Sequence, residues 1–142
     1  MDITDRPIFE SEFEKVAYSS DAYPIEYVPN FHELEYAVPI AHAKEALRAV
    51  RKLMLEDFPE AIYPIEYRFT AGDGAWMSPF FEQDSVTISV SGEPGTDYWD
   101  YLRSVDRILR SYGARPHWGK MHFLTGDDVT SIYPRANDFR NL

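Results

Sequence analysis

The sequence predicts an α+β fold, in which helices pack on one face of an antiparallel sheet in the ferredoxin-like order βαββαβ. Two observations lead to this prediction. Segments with strand-like alternation and segments with helical apolar spacing follow one another as strand, helix, strand, strand, helix, strand. The length of 142 residues, with 44% hydrophobic and 15% aromatic residues, suits a single folded domain with its own core.

The first strand and the first helix are predicted within residues 31–57. In the strand, apolar side chains alternate with two glutamates, so one face is apolar and the other is acidic. The alternating residues are Glu33, Leu34, Glu35, Tyr36 and Val38. The helix, over residues 41–57, carries an apolar stripe at the spacing of successive helical turns. That stripe consists of Ala43, Ala46, Leu47, Val50, Leu53 and Met54.

The second and third strands are predicted over residues 62–71 and 85–91. Both alternate apolar and polar residues, so the face opposite the core is polar. The residues expected on the core face are Ile65, Tyr67, Phe69, Val86, Ile88 and Val90. The residues expected on the polar face are Glu66, Arg68, Thr70, Thr87, Ser89 and Ser91. This polar face is free to meet another molecule.

The second helix is predicted to begin at a cap on Thr96 or Asp97 and to end at Gly113, where a left-handed residue belongs. Its apolar stripe consists of Tyr98, Tyr101, Leu102, Val105, Ile108, Leu109 and Tyr112. Residues 114–123 follow as an irregular fourth strand, and residues 127–133 as one or two helical turns. We interpret residues 1–30 as an N-terminal arm with one strand near residues 14–19.

The composition excludes several classes of function. A formal net charge of −10 disfavours nucleic acid as a partner, because the chain repels phosphates. Without cysteine, thiol catalysis and disulfides are excluded. The four histidines are scattered and no glycine-rich phosphate loop occurs, so we predict neither a metal site nor independent FAD binding. With no signal peptide and no apolar run of ~20 residues, we expect a cytoplasmic location and no strong membrane signal.

Residues 114–123 concentrate two histidines, a tryptophan, an arginine and a lysine, which points to a binding strip or to an edge strand with a packed tryptophan. Residues 117–120 resemble the H-W-G-K signature of the sugar-1,4-lactone oxidases, the D-arabinono-lactone, L-gulono-lactone and alditol oxidases of the vanillyl-alcohol-oxidase type. The resemblance extends to E-Y-A-V-P at residues 35–39 and E-x-R at residues 66–68. It covers about residues 30–133.

This resemblance implies that residues 31–142 are the substrate-side (cap) domain of an FAD-dependent sugar-1,4-lactone or polyol oxidase. Such an enzyme transfers a hydride from a substrate CH–OH to the flavin and passes the electrons to dioxygen or another acceptor. FAD would be bound mainly by a domain absent from this chain, which would be either an excised domain or a separate subunit. We therefore expect no turnover by the chain alone. The resemblance leaves membrane association open.

The E-x-R pair, Glu66 and Arg68, lies on one strand with both side chains on the same face. One can accept and the other can donate hydrogen bonds to sugar hydroxyls, and the resemblance places this pair at the substrate. A surface ion pair without a binding role is the alternative.

The resemblance places Lys120 beside the flavin ring, where a fixed ammonium would stabilise the negative charge that the ring gains. An ordinary solvated lysine is the alternative. His117 is expected either to bind substrate or to be structural, and Trp118 to lie on the cofactor side or to serve packing. Ser89 and Ser91 resemble a small polar position that lines the substrate pocket; their alternative is a solvent-exposed sheet face.

A missing flavin domain also predicts an exposed aromatic surface for an FAD-binding partner, involving Trp76, Phe80, Phe81 and Trp118. The alternative function is a non-catalytic binding or interaction module derived from such a cap domain. That module would hold a small polyol or a protein partner.

Overall fold

A computed structural model describes Tyr18, residues 31–93 and residues 95–142 of the chain. The arm expected over residues 1–30, with its strand near residues 14–19, therefore lies outside the described residues except for Tyr18. Four described strands form one antiparallel sheet, and the predicted α+β class and order are confirmed. The strands are β1 (Glu33–Pro39), β2 (Glu66–Thr70), β3 (Ser85–Ser91) and β4 (Arg115–Pro116), in the sheet order β2-β3-β1-β4. The helices are α1 (Ala43–Glu56), α2 (Trp99–Ser111), α3 (Gly126–Ile132) and α4 (Ala136–Arg140).

The core lies between one face of this sheet and helices α1 and α2. The alternating apolar residues of β1 and β3 are fully or almost fully buried there, as the sequence pattern predicts. The core residues of the two strands are Leu34, Tyr36, Val38, Val86, Ile88 and Val90. From the helices, Ala46, Val50, Leu102, Val105 and Leu109 complete the cluster. Each large apolar side chain buried in this way stabilises the fold by about 1.5–3 kcal/mol.

One charged residue, Asp106 of α2, is also buried in this core. Its carboxylate accepts a hydrogen bond from the Tyr36 hydroxyl and another, at 3.3 Å, from the backbone N–H of Phe123. Burial, reinforced by the bond to Asp106, raises the pKa of Tyr36 far above its ordinary value, so the phenol stays a donor. The pair joins β1, α2 and the end of the segment that carries Lys120.

The ends of the helices follow the prediction only in part. Helix α2 begins at Trp99, and its N-cap is Tyr98 rather than the expected Thr96 or Asp97. The Asp97 carboxylate nevertheless accepts the Trp99 backbone N–H at 3.4 Å. The Thr96 hydroxyl instead donates to the carbonyl of Glu93 at 2.8 Å, in the preceding turn. Gly113 has φ +72°, which confirms the left-handed residue expected after the helix.

The fourth strand is much shorter than residues 114–123. Only Arg115 and Pro116 pair with β1, and the chain then turns at residues 118–120. The backbone N–H groups on either side of the turn still bond β1: His117 donates to the Glu35 carbonyl at 2.9 Å and Met121 to that of Glu33 at 2.8 Å. This geometry lifts Lys120 out of the strand while both ends of its turn stay attached to the sheet.

Two aromatic residues differ from expectation. Phe69, expected on the core face, is 73% exposed, because β2 is an edge strand and the ring only meets Tyr67 edge-on at 5.5 Å. Phe81, expected on an exposed docking surface, is only 6% exposed. Its carbonyl accepts a hydrogen bond of 2.9 Å from Arg115, whose guanidinium also donates to the Ile132 carbonyl at 3.1 Å. Arg115 thus ties the loop before β3 and the C-terminal segment to β4.

Candidate functional site

The polar face of the sheet, on the side away from α1 and α2, carries charged or polar residues from three strands. In the β-sheet register, Glu66 of β2 stands opposite Ser89 of β3, which in turn stands opposite Glu35 of β1. Opposed residues in neighbouring strands point to the same face, with their Cβ atoms about 5 Å apart. Because β1 lies inside the sheet, between β3 and β4, Glu35 is within reach of side chains on both sides.

Arg68 is held on this face by several acceptors. Its Nη2 atom lies 2.5 Å from Oε2 of Glu35, and its Nη1 atom lies 3.1 Å from Oε2 of Glu66. The Nε atom approaches the Thr87 hydroxyl at 3.4 Å. The Glu66–Arg68 pair expected from sequence is thus formed, and it is linked to a third residue, Glu35. Both Glu66 and Arg68 keep more than half of their side chains exposed, so a ligand can reach them.

Lys120 reaches the same cluster from the turn after β4. Its Nζ atom lies 2.5 Å from Oε1 of Glu33 and 2.7 Å from Oε2 of Glu35, the same oxygen that binds Arg68. The hydroxyl of Ser89 donates to Glu33. The structure therefore brings four of the predicted site residues, Lys120, Glu66, Arg68 and Ser89, into one hydrogen-bonded network.

The network perturbs the ionisation of its members. Burial raises the pKa of Glu33, but hydrogen bonds from Lys120 and Ser89 outweigh it and hold the pKa below its ordinary value of 4.5. For Lys120, burial lowers the pKa, whereas the bonds to Glu33 and Glu35 raise it above 10.5 overall. Both shifts favour the charged forms, so Glu33 and Lys120 form an ion pair at neutral pH.

The other predicted site residues lie outside this network. His117 is exposed, and its Nδ1 atom accepts from the backbone N–H of Gly119 at 3.1 Å, which shapes the turn before Lys120. Trp118 donates from Nε1 to the Met77 carbonyl at 2.7 Å and stacks on Tyr133 at 5.0 Å. Its ring is 42% exposed, so packing accounts for only part of its surface.

Ser91 stands opposite Glu33 at the end of β3. It lines a separate recess beside Gly92 and Tyr98, so the structure does not join it to Lys120. The ring of His122, the second histidine of the segment, meets Trp118 edge-on at 5.8 Å. Within the described residues, its buried Nδ1 atom has no hydrogen-bond partner.

An open pocket of about 470 Å³ lies beside Lys120. Carboxylate, ammonium and aromatic groups meet in its wall, which consists of Phe31, His32, Glu33, Trp118, Gly119, Lys120 and Met121. This chemistry suits a ligand with hydroxyl groups and a flat apolar part, because the lining combines charged groups with aromatic rings.

The sequence matches a known family. The profile described as D-arabinono-1,4-lactone oxidase covers residues 6–142. The chain belongs to this family. The relationship proposed from H-W-G-K, E-Y-A-V-P and E-x-R is thereby confirmed, and these motifs contain Lys120, Glu35, Glu66 and Arg68.

Several curated relatives of this lactone oxidase family member are about one-third identical to it over the region that they match. L-gulono-1,4-lactone dehydrogenase of Mycobacterium tuberculosis is 36% identical over 109 residues, which cover 77% of this chain and 26% of the relative. L-gulonolactone oxidase of Mus musculus is 36% identical over 120 residues, which cover 78% and 26%. Alditol oxidase of Streptomyces sp. is 31% identical over 109 residues, which cover 76% and 26%. The chain thus spans about a quarter of the length of these relatives.

The sequence-based site left out Glu33 and Glu35, although both lie in the motif region of the lactone oxidase family. Their alternation with Leu34 and Tyr36 already placed them on the polar face. The missing information was the strand order and the reach of the side chains: Arg68 of β2 extends past β3 to Glu35, and Lys120 reaches both glutamates from the turn after β4. Among the described residues, no helix has the length and apolar character needed to cross a bilayer.

Proposed function

We propose that this chain is the substrate-side domain of an FAD-dependent sugar-1,4-lactone or polyol oxidase. The observation that carries the proposal is the convergence of Glu66, Arg68 and Lys120, from two separate segments, on one polar face through Glu35. The names of the relatives favour lactones and alditols as the substrate class.

Glu66 and Arg68 would bind the substrate hydroxyls. A guanidinium has five N–H donors in a rigid fork, and the contacts to Glu35, Glu66 and Thr87 leave part of that fork for a ligand. The Glu66 carboxylate accepts from a hydroxyl on the same ligand. Pairing a donor with an acceptor matches a vicinal diol, which offers both functions on adjacent carbons.

Lys120 would keep one positive charge fixed at the pocket wall. An ammonium has three N–H donors, and the bonds to Glu33 and Glu35 leave the third for a bound molecule. The aromatic and charged wall of the pocket fits a flat ring with partial negative charge. When bound, FAD would supply the hydride acceptor, and Lys120 would stabilise negative charge near it without first having to reorganise.

The partner of this domain would be an FAD-binding domain, either in the same polypeptide or as a separate subunit. The flavin-binding function would lie in the part of the relatives' length that this chain does not match. The half-exposed ring of Trp118, beside Lys120, would then lie on the side that faces the flavin domain.

The test uses this chain joined to a flavin-binding domain of the same family, with anaerobic flavin reduction followed by absorbance. We expect reduction by sugar-1,4-lactones or alditols, and a rate about 10²–10³-fold lower in Lys120→Ala, as for loss of one preorganised donor. Lys52→Ala is the matched control, because Lys52 lies on exposed α1 and pairs only loosely with Glu56 at 3.8 Å.

Two outcomes would overturn the proposal in different ways. If Lys120→Ala reduced the flavin as fast as the parent chain, the fixed-charge role would be wrong. If no lactone or polyol reduced the flavin, although calorimetry detected polyol binding to the chain, the domain would be a binding module without catalytic function.

A further inference from the structure

We infer that Glu35 is a positioning residue of this site. Its Oε2 atom, which both cations share, sets the spacing between the substrate-binding Arg68 and the charge-stabilising Lys120. The inference rests on the proposed function for its catalytic consequence. Its geometric part rests only on contacts within the described residues.

Burial and bonding distinguish Glu35 from the other carboxylates of the cluster. Glu35 is only 4% exposed, whereas Glu66 is mostly exposed and Glu33 lines the open pocket. Its Oε2 atom accepts from Arg68 at 2.5 Å and from Lys120 at 2.7 Å. A buried carboxylate is stable only when charged or polar partners satisfy it, so Glu35 and the two cations depend on one another.

The shared oxygen brings two like charges close together. Both cationic nitrogens lie within hydrogen-bond distance of one atom, so they are within about 5 Å of each other. Without a carboxylate between them, two cations at this separation repel and move apart. A carbon chain that must meet Arg68 with its hydroxyls and Lys120 near its reacting carbon then loses one of the two contacts.

The backbone of Glu35 reinforces this role. Its carbonyl accepts the N–H of His117, which begins the turn that carries Lys120. The same residue thus anchors the turn through its main chain and the ammonium through its side chain. Arg68 of β2 extends past β3 to reach Glu35 of β1, and Lys120 reaches the same residue from the turn after β4.

Three glutamine variants separate the contacts of the cluster. Glu35→Gln removes the charge that both cations share. Of the two cations, only Lys120 bonds the carboxylate that Glu33→Gln neutralises, and only Arg68 bonds the one that Glu66→Gln neutralises. Glu35→Asp keeps the charge but shortens the side chain by one methylene, so it tests spacing separately from charge. Glu56→Gln, an exposed carboxylate on α1, controls for the loss of one negative charge.

The first measurement uses the 142-residue chain alone. Nuclear magnetic resonance of the lysine ammonium and arginine guanidinium protons reports their exchange with water. We expect slow exchange at Lys120 and Arg68 in the parent chain, faster exchange at both in Glu35→Gln, and faster exchange at one cation only in Glu33→Gln or Glu66→Gln. Unchanged exchange at both cations in Glu35→Gln and in Glu35→Asp would overturn the inference. Circular dichroism checks that each variant is folded.

The second measurement uses the chain joined to its flavin-binding domain. Glu35→Gln is expected to lower kcat/KM about 10- to 100-fold, the loss of one hydrogen bond between charged groups. Both kcat and KM should change, since both cations are affected, whereas Glu33→Gln should change mainly kcat. In the pH dependence of the rate, the fall at alkaline pH should occur at a lower pH in Glu35→Gln, because Lys120 loses a charged partner that raises its pKa.

Glu35→Asp completes the test. It should lower kcat/KM because the shorter side chain no longer holds both cations at the same spacing. The fall of the rate at alkaline pH should stay near its original pH because the negative charge is kept. Activity equal to the parent in both Glu35 variants would refute the positioning role. If the parent assembly itself reduced no flavin with any lactone or polyol, the proposed function would fail, and proton exchange alone would decide whether Glu35 spaces the two cations.

Discussion

Replacing Tyr36 with phenylalanine tests how strongly the buried polar pair in the core supports the site above it. The substitution keeps the ring and removes only the hydroxyl that donates to Asp106. Asp106 keeps the Phe123 N–H at 3.3 Å and the more distant Arg110 guanidinium at 3.7 Å. The Phe123 bond closes the segment that carries Lys120, so the change reaches the site through the backbone.

The magnitude follows from one lost hydrogen bond to a charged acceptor. Such a bond contributes about 1.5–3 kcal/mol to the free energy of unfolding when it is buried. For a domain of this size, about 4 °C of melting temperature corresponds to 1 kcal/mol, so Tyr36→Phe should melt about 6–12 °C lower. Asp106→Ala leaves both the hydroxyl and the Phe123 N–H without an acceptor and should cost about 3–5 kcal/mol.

The assay is urea unfolding of the chain followed by circular dichroism, for the parent, both single variants and the double variant. If the slope of the free energy of unfolding against urea concentration is the same in all variants, only their stability differs. Since the two residues form one bond, the double variant should be less destabilised than the two single losses together, with a coupling energy of about 1–3 kcal/mol. A Tyr36→Phe loss under about 0.5 kcal/mol, or strictly additive losses, would refute the importance of this pair.

Four further predictions concern other contacts. Arg115→Ala should lower the free energy of unfolding by about 2–4 kcal/mol, because one buried and one partly buried carbonyl lose their donor, and denaturant titration measures this. Gly92→Ala should lower the free energy of unfolding by about 1–3 kcal/mol, because the added methyl group would overlap the Tyr98 ring. Gly92→Ser places a Cβ atom at the same position, so its melting temperature should be no higher than that of Gly92→Ala. The pKa of Glu33 is lowered by folding, so its contribution is present above pH 4.5 and is lost as pH falls through the lowered pKa; Glu33→Gln should flatten the acid side of stability against pH. The pKa of Lys120 is raised by folding, so its contribution to stability is present up to pH 10.5 and is lost as the pH rises through the raised pKa. Lys120→Met should therefore lose less stability than the parent chain when both are unfolded at increasingly alkaline pH.

Local patterns predicted most of the fold, because they report which face of an element meets the core. Leu34, Tyr36 and Val38 are buried as their alternation indicates, and Gly113 adopts the left-handed conformation expected after a helix. Alternation could not predict that Phe69 is exposed, since that depends on β2 lying at the edge of the sheet. Nor could it reveal that Asp106, within an apolar helix stripe, has Tyr36 as its buried partner.

The site shows the same division. Motifs indicated Lys120, Glu66 and Arg68, but their contacts pass through Glu35, whose importance depends on strands separated by dozens of residues. Register alone does not explain why Ser89 joins the network and Ser91 does not, because Ser91 is the residue opposite Glu33, yet the hydroxyl of Ser89 is the one that bonds Glu33. Pairing of distant strands, rather than any local preference, decides which residues meet on this face.

The position of β2 at the border of the sheet also affects how variants of this protein behave in solution. The outer backbone groups of β2 face no other described strand, and such an edge can pair with a strand of a second molecule and begin aggregation. Charged side chains on an edge oppose this self-association, and on β2 those charges are Glu66 and Arg68. Replacing both with alanine would therefore combine the loss of the proposed ligand contacts with lower solubility, whereas Glu66→Gln and Arg68→Lys keep the edge polar and separate the two effects.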